Sequence, residues 1–310
     1  ARGVPLAAEP LLIAGTDALS RGDPVRTEAL LREARHRDPR ALAPRLLLAD
    51  LYLRRQRIDE GLKELAALSR LAPDGPAPVV EAITAYARQP GTEGALRTLF
   101  SERPDLRDPV LTGLAADPKL ADQVLRLAGP AMQEGRWQAV LIDALVRDGQ
   151  FARGRQIWSR FTGDPTPLDR LVDPAFTRSG SALPPFHWSF PGQGGVAEPR
   201  GRGLHVLSYG REEGVLASQL TTLPPGRYRL SFRLTQPGDT GSLAWVLVCV
   251  PDERELGRAP VGGSAGRSEA ELQVRSACPA QRLELRALPT VGERTSEMTI
   301  DNLSLERLAQ

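Results

Sequence analysis

Apolar and polar residues follow a helical period through the first half of the chain, and the pattern recurs at a fixed interval. Pro39 and Pro73 lie 34 positions apart. Tyr52 and Tyr86 keep the same spacing. Each unit contains two apolar-periodic stretches joined by a short polar turn, as in ALAPRLLLADLYLRRQR followed by IDEGLKELAALSRLAP. This pattern predicts helical hairpins, which bury their apolar faces by stacking on one another.

The period changes to two after about residue 172. In RYRLSFRL the large apolar side chains share one face and the polar ones share the other. QRLELRAL repeats this alternation, whereas LAWVLVCV is apolar on both faces and is predicted to be a central strand. Turn signals such as LPPGRY and PGDTGS separate about eight such segments. We therefore predict an all-α half followed by an all-β half, with the strands forming an antiparallel β-sandwich of the jelly-roll type.

The predicted boundary lies in a segment that is rich in Pro, Gly, Ser and Asp, TGDPTPLDRLVDPAFTRSGSALPP. It divides the chain into helical repeats at 1–168, a linker at 169–185 and a sandwich at 186–310. The repeats lose their register at 100–130, where Pro104, Pro109 and Pro118 interrupt the pattern. The helical half is therefore expected to hold four or five hairpins that stack into a superhelix.

Charge and hydropathy exclude two classes of partner. The 40 basic residues nearly balance the 38 acidic ones, and all except Lys63 and Lys119 are arginine. These arginines are scattered beside Asp and Glu, so no basic stripe for nucleic acid is formed. No apolar run reaches the ~18 residues that a membrane span needs. The chain begins without Met, so we expect a membrane link only through a removed N-terminal anchor.

The only two cysteines, Cys249 and Cys278, lie in the β half and bracket a loop. They form no C-x-x-C pair, so a zinc site is not indicated. We predict that they form a disulfide, which would place the protein in an oxidising compartment such as the bacterial periplasm or cell envelope. Two buried free thiols are the alternative.

The chain contains no convincing catalytic constellation. The G-x-S-x-G pattern at 262–266 lies in a glycine-rich loop of the β half, where a nucleophile elbow is not expected. Glu212 and Glu213 are adjacent and point to opposite faces on extended chain, unlike a glycosidase pair. The three histidines are scattered. We therefore predict that the protein is not an enzyme.

One aromatic cluster stands out in LPPFHWSF, where Phe186, Trp188 and Phe190 lie two positions apart. On extended chain they share one face, with His187 on the other. We interpret the three rings as sandwich core or as the seal between the two halves.

The helical half resembles tetratricopeptide repeats. Small and helix-ending residues fill the matching positions of the first two units: Gly15, Gly22, Ala34 and Pro39, then Ala49, Tyr52, Gly61 and Pro73. A later unit carries the turn DGQF. The resemblance implies a concave groove that holds a peptide or a partner protein.

Residues 172–308 resemble jelly-roll carbohydrate-binding modules, through VDPAFTRSG, LPPGRYRLSFRL and MTIDNLSLERL. The resemblance implies that exposed rings and neighbouring polar groups hold a glycan, and the candidate residues are Trp245, Tyr209 and Arg211. Thr177 stands where the family usually has the Glu of a structural calcium site, and Asp301 remains. A calcium ion would therefore lack a ligand here, and we expect no cofactor.

Three functional hypotheses follow. The first is a non-catalytic scaffold of the bacterial envelope that binds a protein through its repeats and a polysaccharide through its sandwich, in exopolysaccharide or capsule assembly or export. The second is a pure protein-interaction module whose sandwich faces are covered or lined by arginine. The third is an unrecognised glycoside-active enzyme, which needs two distant carboxylates in one cleft.

Overall fold

The computed structural model describes residues 7–71, 77–129, 135–177, 183–236, 238–291 and 295–308. Helices occupy the first half of the chain, and antiparallel strands in two sheets occupy the second. The predicted fold class, helical repeats followed by a β-sandwich, is therefore confirmed. The chain divides into two compact units, Ala1–Leu141 and Ile142–Gln310.

The described ranges contain ten α-helices, of which α1 with α2 and α3 with α4 pair as hairpins, whereas α5 packs on α7. Their bounds are α1 Glu9–Ser20, α2 Pro24–Arg37, α3 Leu42–Arg54, α4 Ile58–Leu71, α5 Ala77–Ala87, α6 Glu93–Glu102, α7 Arg107–Ala115, α8 Ala121–Ala128, α9 Arg136–Arg147 and α10 Phe151–Thr162. None of these helices has both the length and the apolar character that crossing a bilayer requires.

Local sequence explains the first turn between helices. Gly22 adopts a positive φ of 72° and ends α1, a conformation that glycine reaches without steric cost. Asp23 then caps α2, because its Oδ1 accepts a hydrogen bond from the backbone N–H of Arg26 at 3.0 Å. Pro24 occupies the first helical position, where no N–H donor is needed. The Arg-Gly-Asp tripeptide at 21–23 is thus a helix stop and cap.

Close contacts and buried ion pairs hold the first unit together. A Cβ added to Gly61 would lie 2.7 Å from Leu53 Cδ2, so α3 and α4 approach closely only because position 61 is glycine. Glu64 on α4 is 4% exposed and accepts hydrogen bonds from Arg35 and Arg45. These contacts tie α4 to α2 and α3, which is how stacked repeats gain stability from their neighbours.

Nine strands form the sandwich of the second unit, as far as the described ranges extend. Their bounds are β1 Gly195–Arg200, β2 Gly203–Ser208, β3 Gly214–Thr221, β4 Gly226–Gln236, β5 Gly238–Cys249, β6 Arg254–Gly263, β7 Gly266–Val274, β8 Gln281–Ala287 and β9 Ser296–Arg307. One sheet has the order β1-β2-β9-β4-β7, and the other has the order β3-β8-β5-β6. Most successive strands lie in opposite sheets, as the jelly-roll prediction requires.

The aromatic cluster of 186–190 does not form the single row that its spacing predicts. Backbone turns precede Ser189, which makes one bridge to Ser218 of β3, so the segment is not a continuous strand. Trp188 enters the sandwich core, whereas Phe186 packs on Trp158 of α10 with ring centroids 6.2 Å apart. Phe190 is only partly buried against the core.

Helix α10 belongs to the second unit and is bound to its β segment. The Trp158 indole Nε1 donates a hydrogen bond to the Leu183 carbonyl at 2.6 Å. The Arg155 guanidinium lies over the Trp158 ring, 4.3 Å from its centroid, and also donates to the Thr166 carbonyl. Trp188 is therefore sandwich core, as one of the two interpretations predicted, whereas Phe186 packs on α10 within the second unit.

Cys249 and Cys278 form the predicted disulfide, with their Cα atoms 5.7 Å apart. Cys249 ends β5, and Cys278 lies in the loop between β7 and β8. Both are at most 2% exposed. The buried bond therefore joins the end of β5 to the loop that connects one sheet to the other.

The disulfide closes a loop of 29 residues, so its loss should lower the free energy of unfolding by about 3–4 kcal/mol in the chain-entropy description. Urea unfolding with and without a reductant measures this difference, and the variant Cys249→Ala with Cys278→Ala separates it from thiol chemistry. Thiol titration of the unreduced, denatured protein should find no reactive thiol. Two reactive thiols would contradict the disulfide.

Candidate binding surfaces

Trp245, the leading sugar-binding candidate, lies in the sandwich core and has no exposed surface. Its ring centroid is 5.8 Å from that of Trp188, which in turn lies 5.0 Å from Phe176. The prediction that Trp245 faces a ligand is therefore wrong. Both faces of β5 are apolar, and the wider space between the sheets takes the larger side chains.

The outer face of the four-stranded sheet carries an ion-pair ladder where the exposed ring was expected. Glu284 on β8 is 1% exposed and accepts hydrogen bonds from Arg282 and Arg286, on either side of it along the strand. Arg282 reaches on to Glu253, and Arg286 reaches on to Glu213. We name these five residues the β8 ladder.

The β8 ladder covers small apolar residues of β5. Ala244, Val246 and Val248 stand beside its arginines and Glu284 in register and are at most 1% exposed. The aliphatic stems of arginine cover such surface while the guanidinium stays polar. Burial opposes the charge of Arg282, but hydrogen bonds with Glu284 and Glu253 outweigh it, so the pKa of the Arg282 guanidinium is raised. This face is charged and arginine-lined, as the second hypothesis requires.

Tyr209 and Arg211 are both exposed in the loop between β2 and β3. Tyr209 has 41% of its surface exposed and is the one aromatic residue among the large exposed apolar residues of the described ranges. Its backbone N–H donates to the Gly194 carbonyl, and the Gly210 carbonyl accepts from the Thr290 N–H. These bonds hold the loop at one end of the sandwich, with the Tyr209 ring accessible to a ligand.

The residues of the family's calcium position do not fit a calcium site in this chain. Asp173 Oδ1 accepts from the backbone N–H and the hydroxyl of Thr177, at 2.9 and 2.8 Å. The same carboxylate lies 3.7 Å from the Nε2 of buried His187. Within the described residues no group of three or more His, Cys, Asp or Glu side chains could hold a metal.

The motifs that suggested catalysis have ordinary structural positions. Ser264 of the G-x-S-x-G pattern lies in the turn that connects β6 of one sheet to β7 of the other. Glu213 forms an ion pair with Arg286. His205 contacts Glu297 on the neighbouring strand β9 at 2.8 Å.

The helical unit contains a groove that pattern analysis did not locate. It lies between α5 and α7 and has a volume of about 610 Å³. Val80, Ala85 and Pro109 form its apolar surface, and Glu81 and Arg88 supply charges. The sequence gives only a weak signal for this groove, because the groove is lined by the few apolar or small residues that the helical period leaves outside the core. Ala85 and Pro109 are exposed and Val80 is half-buried.

Comparison with known proteins supports the helical part of this description. A family model described as tetratricopeptide repeat matches residues 18–85. No curated protein matches the chain. Among solved structures, a flexible tandem repeat domain from bacterial cellulose synthase is 19% identical, with a TM-score of 0.24, and the match covers 53% of this chain and 87% of that one. Pseudomonas aeruginosa pilF is 16% identical, with a TM-score of 0.25 and coverage of 52% and 78%.

The β half is also similar to solved structures. A carbohydrate-binding module of family 4 is 11% identical, with a TM-score of 0.34, and the match covers 44% of this chain and 99% of that one. The resemblance to tetratricopeptide repeats is thus confirmed over 18–85, and the matched structures include a carbohydrate-binding module.

The β8 ladder predicts a measurable effect on stability. Glu284→Gln keeps the side-chain shape but leaves Arg282 and Arg286 without their shared carboxylate, so the free energy of unfolding should fall by about 2 kcal/mol. Glu253→Gln is the matched control, because Glu253 is 61% exposed and should contribute less than about 0.5 kcal/mol. Urea unfolding measures both variants. Equal effects would contradict the central role of Glu284.

Proposed function

We propose that this protein is a non-catalytic scaffold of the bacterial cell envelope whose helical repeats hold a segment of a partner protein. The observation that carries this proposal is the apolar groove between α5 and α7. Its volume of about 610 Å³ falls within the ~300–1,000 Å³ typical of ligand sites.

The groove has the chemistry of a peptide site. Val80, Ala85 and Pro109 offer apolar surface to side chains of an extended or helical segment. Glu81 lies on α5 and Arg88 directly follows its last residue, so the two present opposite charges at two points along the groove. Opposite charges at separate points orient a bound segment and help to select it.

The compartment and the absence of catalysis are parts of the same proposal. The disulfide supports an oxidising compartment, of which the periplasm is our choice. None of the motifs considered for catalysis combines a nucleophile or carboxylate pair with a cleft in the described residues. Exopolysaccharide or capsule assembly or export is the setting that we propose for the scaffold.

Glycan binding by the sandwich is a second candidate function, and the exposed Tyr209 favours it. A tyrosine ring stacks on the apolar face of a sugar, and Arg211 two residues on can donate hydrogen bonds to hydroxyl groups. Trp245 is buried, and the β8 ladder occupies the outer face of the four-stranded sheet, so that face carries no aromatic ring among the described residues. Stacking on a sugar would therefore be confined to the Tyr209 loop. A protein-interaction module without sugar binding is the competing hypothesis.

Val80→Asp tests the groove, because it places a charge on apolar surface that a partner must cover. The immobilised full chain should enrich peptides from a random display library, and the variant should bind those peptides about tenfold more weakly or worse. Val25→Asp is the control, since Val25 is 72% exposed on α2 and does not line the groove. Equal binding by wild type and Val80→Asp would overturn the groove proposal.

Tyr209→Ala tests the second candidate on an array of neutral and acidic glycans. Loss of one stacked ring should weaken binding about tenfold, as expected for about 1.4 kcal/mol. Val291→Ala provides a control with another exposed apolar side chain of the sandwich, 96% exposed. The absence of any glycan signal from wild type would refute glycan binding while leaving the peptide result unaffected.

A further inference from the structure

A pocket of about 490 Å³ lies on the five-stranded sheet, where β4, β7 and β9 run side by side. Its strands carry neither Tyr209, which lies in the loop after β2, nor the β8 ladder, which lies on the four-stranded sheet. Its lining includes Ser231 and Arg233 from β4, Gly266 and Arg267 from β7, and Asn302 and Ser304 from β9.

Two arginines stand side by side in this pocket. Arg233 on β4 is the direct cross-strand partner of Arg267 on β7. Like charges at directly opposite positions destabilise a sheet, so this arrangement is unfavourable for the fold itself. Elsewhere on these two strands the arginines have acidic partners, Arg227 with Glu271 and Arg229 with Glu269.

Arg233 differs from those neighbours because no acid among the described residues neutralises it. Arg267 contacts Glu269 at 2.8 Å, whereas Arg233 has neither an ion pair nor a side-chain hydrogen bond to any described residue. Asp301 is its register partner on β9 but lies beyond the 4.0 Å limit of an ion pair, and its Oδ1 is buried. The guanidinium of Arg233 is exposed. Arg233 is therefore an exposed arginine of this pocket that has no acidic contact among the described residues.

A β-bulge supplies the pocket's other polar groups. Between the pairs Ser231–Ser304 and Arg233–Asp301, two residues of β9 oppose one residue of β4. Asn302 in this bulge has a φ of 50°, and bulges of this kind redirect side chains next to binding sites. The Ser231 and Ser304 hydroxyls lie 2.8 Å apart at the pocket. Amide and hydroxyl groups thus stand beside the two guanidinium groups.

We propose that this pocket binds an acidic sugar of the uronic acid class. The carboxylate of the sugar lies against Arg233 and Arg267 and relieves their mutual repulsion. The ring hydroxyls exchange hydrogen bonds with Asn302 and Ser304, which have both donors and acceptors. The site goes beyond the peptide groove, and it does not depend on Tyr209.

Isothermal titration of the full chain with trigalacturonate, neutral galactotriose and inorganic sulfate tests this site. Trigalacturonate should bind at least about tenfold more tightly than either alternative, because only it offers both a carboxylate and hydroxyls. Binding should weaken as sodium chloride is raised. Arg233→Gln should reduce the affinity about tenfold, whereas Arg227→Gln, on the same strand but outside the pocket, should stay within about twofold.

Each of four results would overturn the proposal. Galactotriose binding as tightly as trigalacturonate removes the need for a carboxylate, and sulfate binding as tightly reduces the site to a simple anion site. An equal loss in Arg233→Gln and Arg227→Gln, or no binding by wild type, also rejects it. Val80→Asp serves as a further control, because loss of the peptide groove leaves trigalacturonate binding unchanged.

Discussion

Burial of Trp245 between the two sheets determines where every surface of the sandwich lies. Side chains alternate along a strand, so placing Trp245 inside puts Val246 and its neighbours outside. The register of β5 with β8 then sets Glu284 beside Val246 on the outer face. Because this ring is buried, the outer face of the four-stranded sheet is charged, whereas the sequence predicted an aromatic ring there. The buried ring also gives Trp188 a partner in the core, which anchors the segment that precedes the strands.

Arginine side chains have different structural roles in different parts of the protein. In the β8 ladder, the two arginines share a nearly buried carboxylate and cover valine and alanine side chains. On α10, Arg155 lies over an indole ring and its burial lowers the pKa of its guanidinium. Arg233 has no such partner among the described residues. On the described strands β4 and β7, Arg227, Arg229 and Arg267 each contact an acidic side chain, and Arg233 stands beside Arg267 without one.

Close approach of helices and buried charge hold the first helices of the helical unit together. Glycine at 61 lets two helices touch, and Glu64 binds arginines from two other helices. These contacts join elements that are close together in the sequence, as in stacked repeats. The groove between α5 and α7 is lined instead by residues that the helical period leaves outside the core, Val80, Ala85 and Pro109 among them.

The sequence by itself determined the two classes of secondary structure, the 34-residue repeat and the disulfide, since periodicity is local and only two cysteines were present. The sequence also predicted that Phe186 and Trp188 are buried. It did not predict that they pack in two different places, Phe186 on α10 and Trp188 in the sandwich core. Only the tertiary structure decided which face of β5 is inside, because both faces are apolar and alternation specifies no direction. Tertiary structure likewise brought Arg233 opposite Arg267, 34 residues away in the sequence. That contact depends on strand register, which no local pattern encodes.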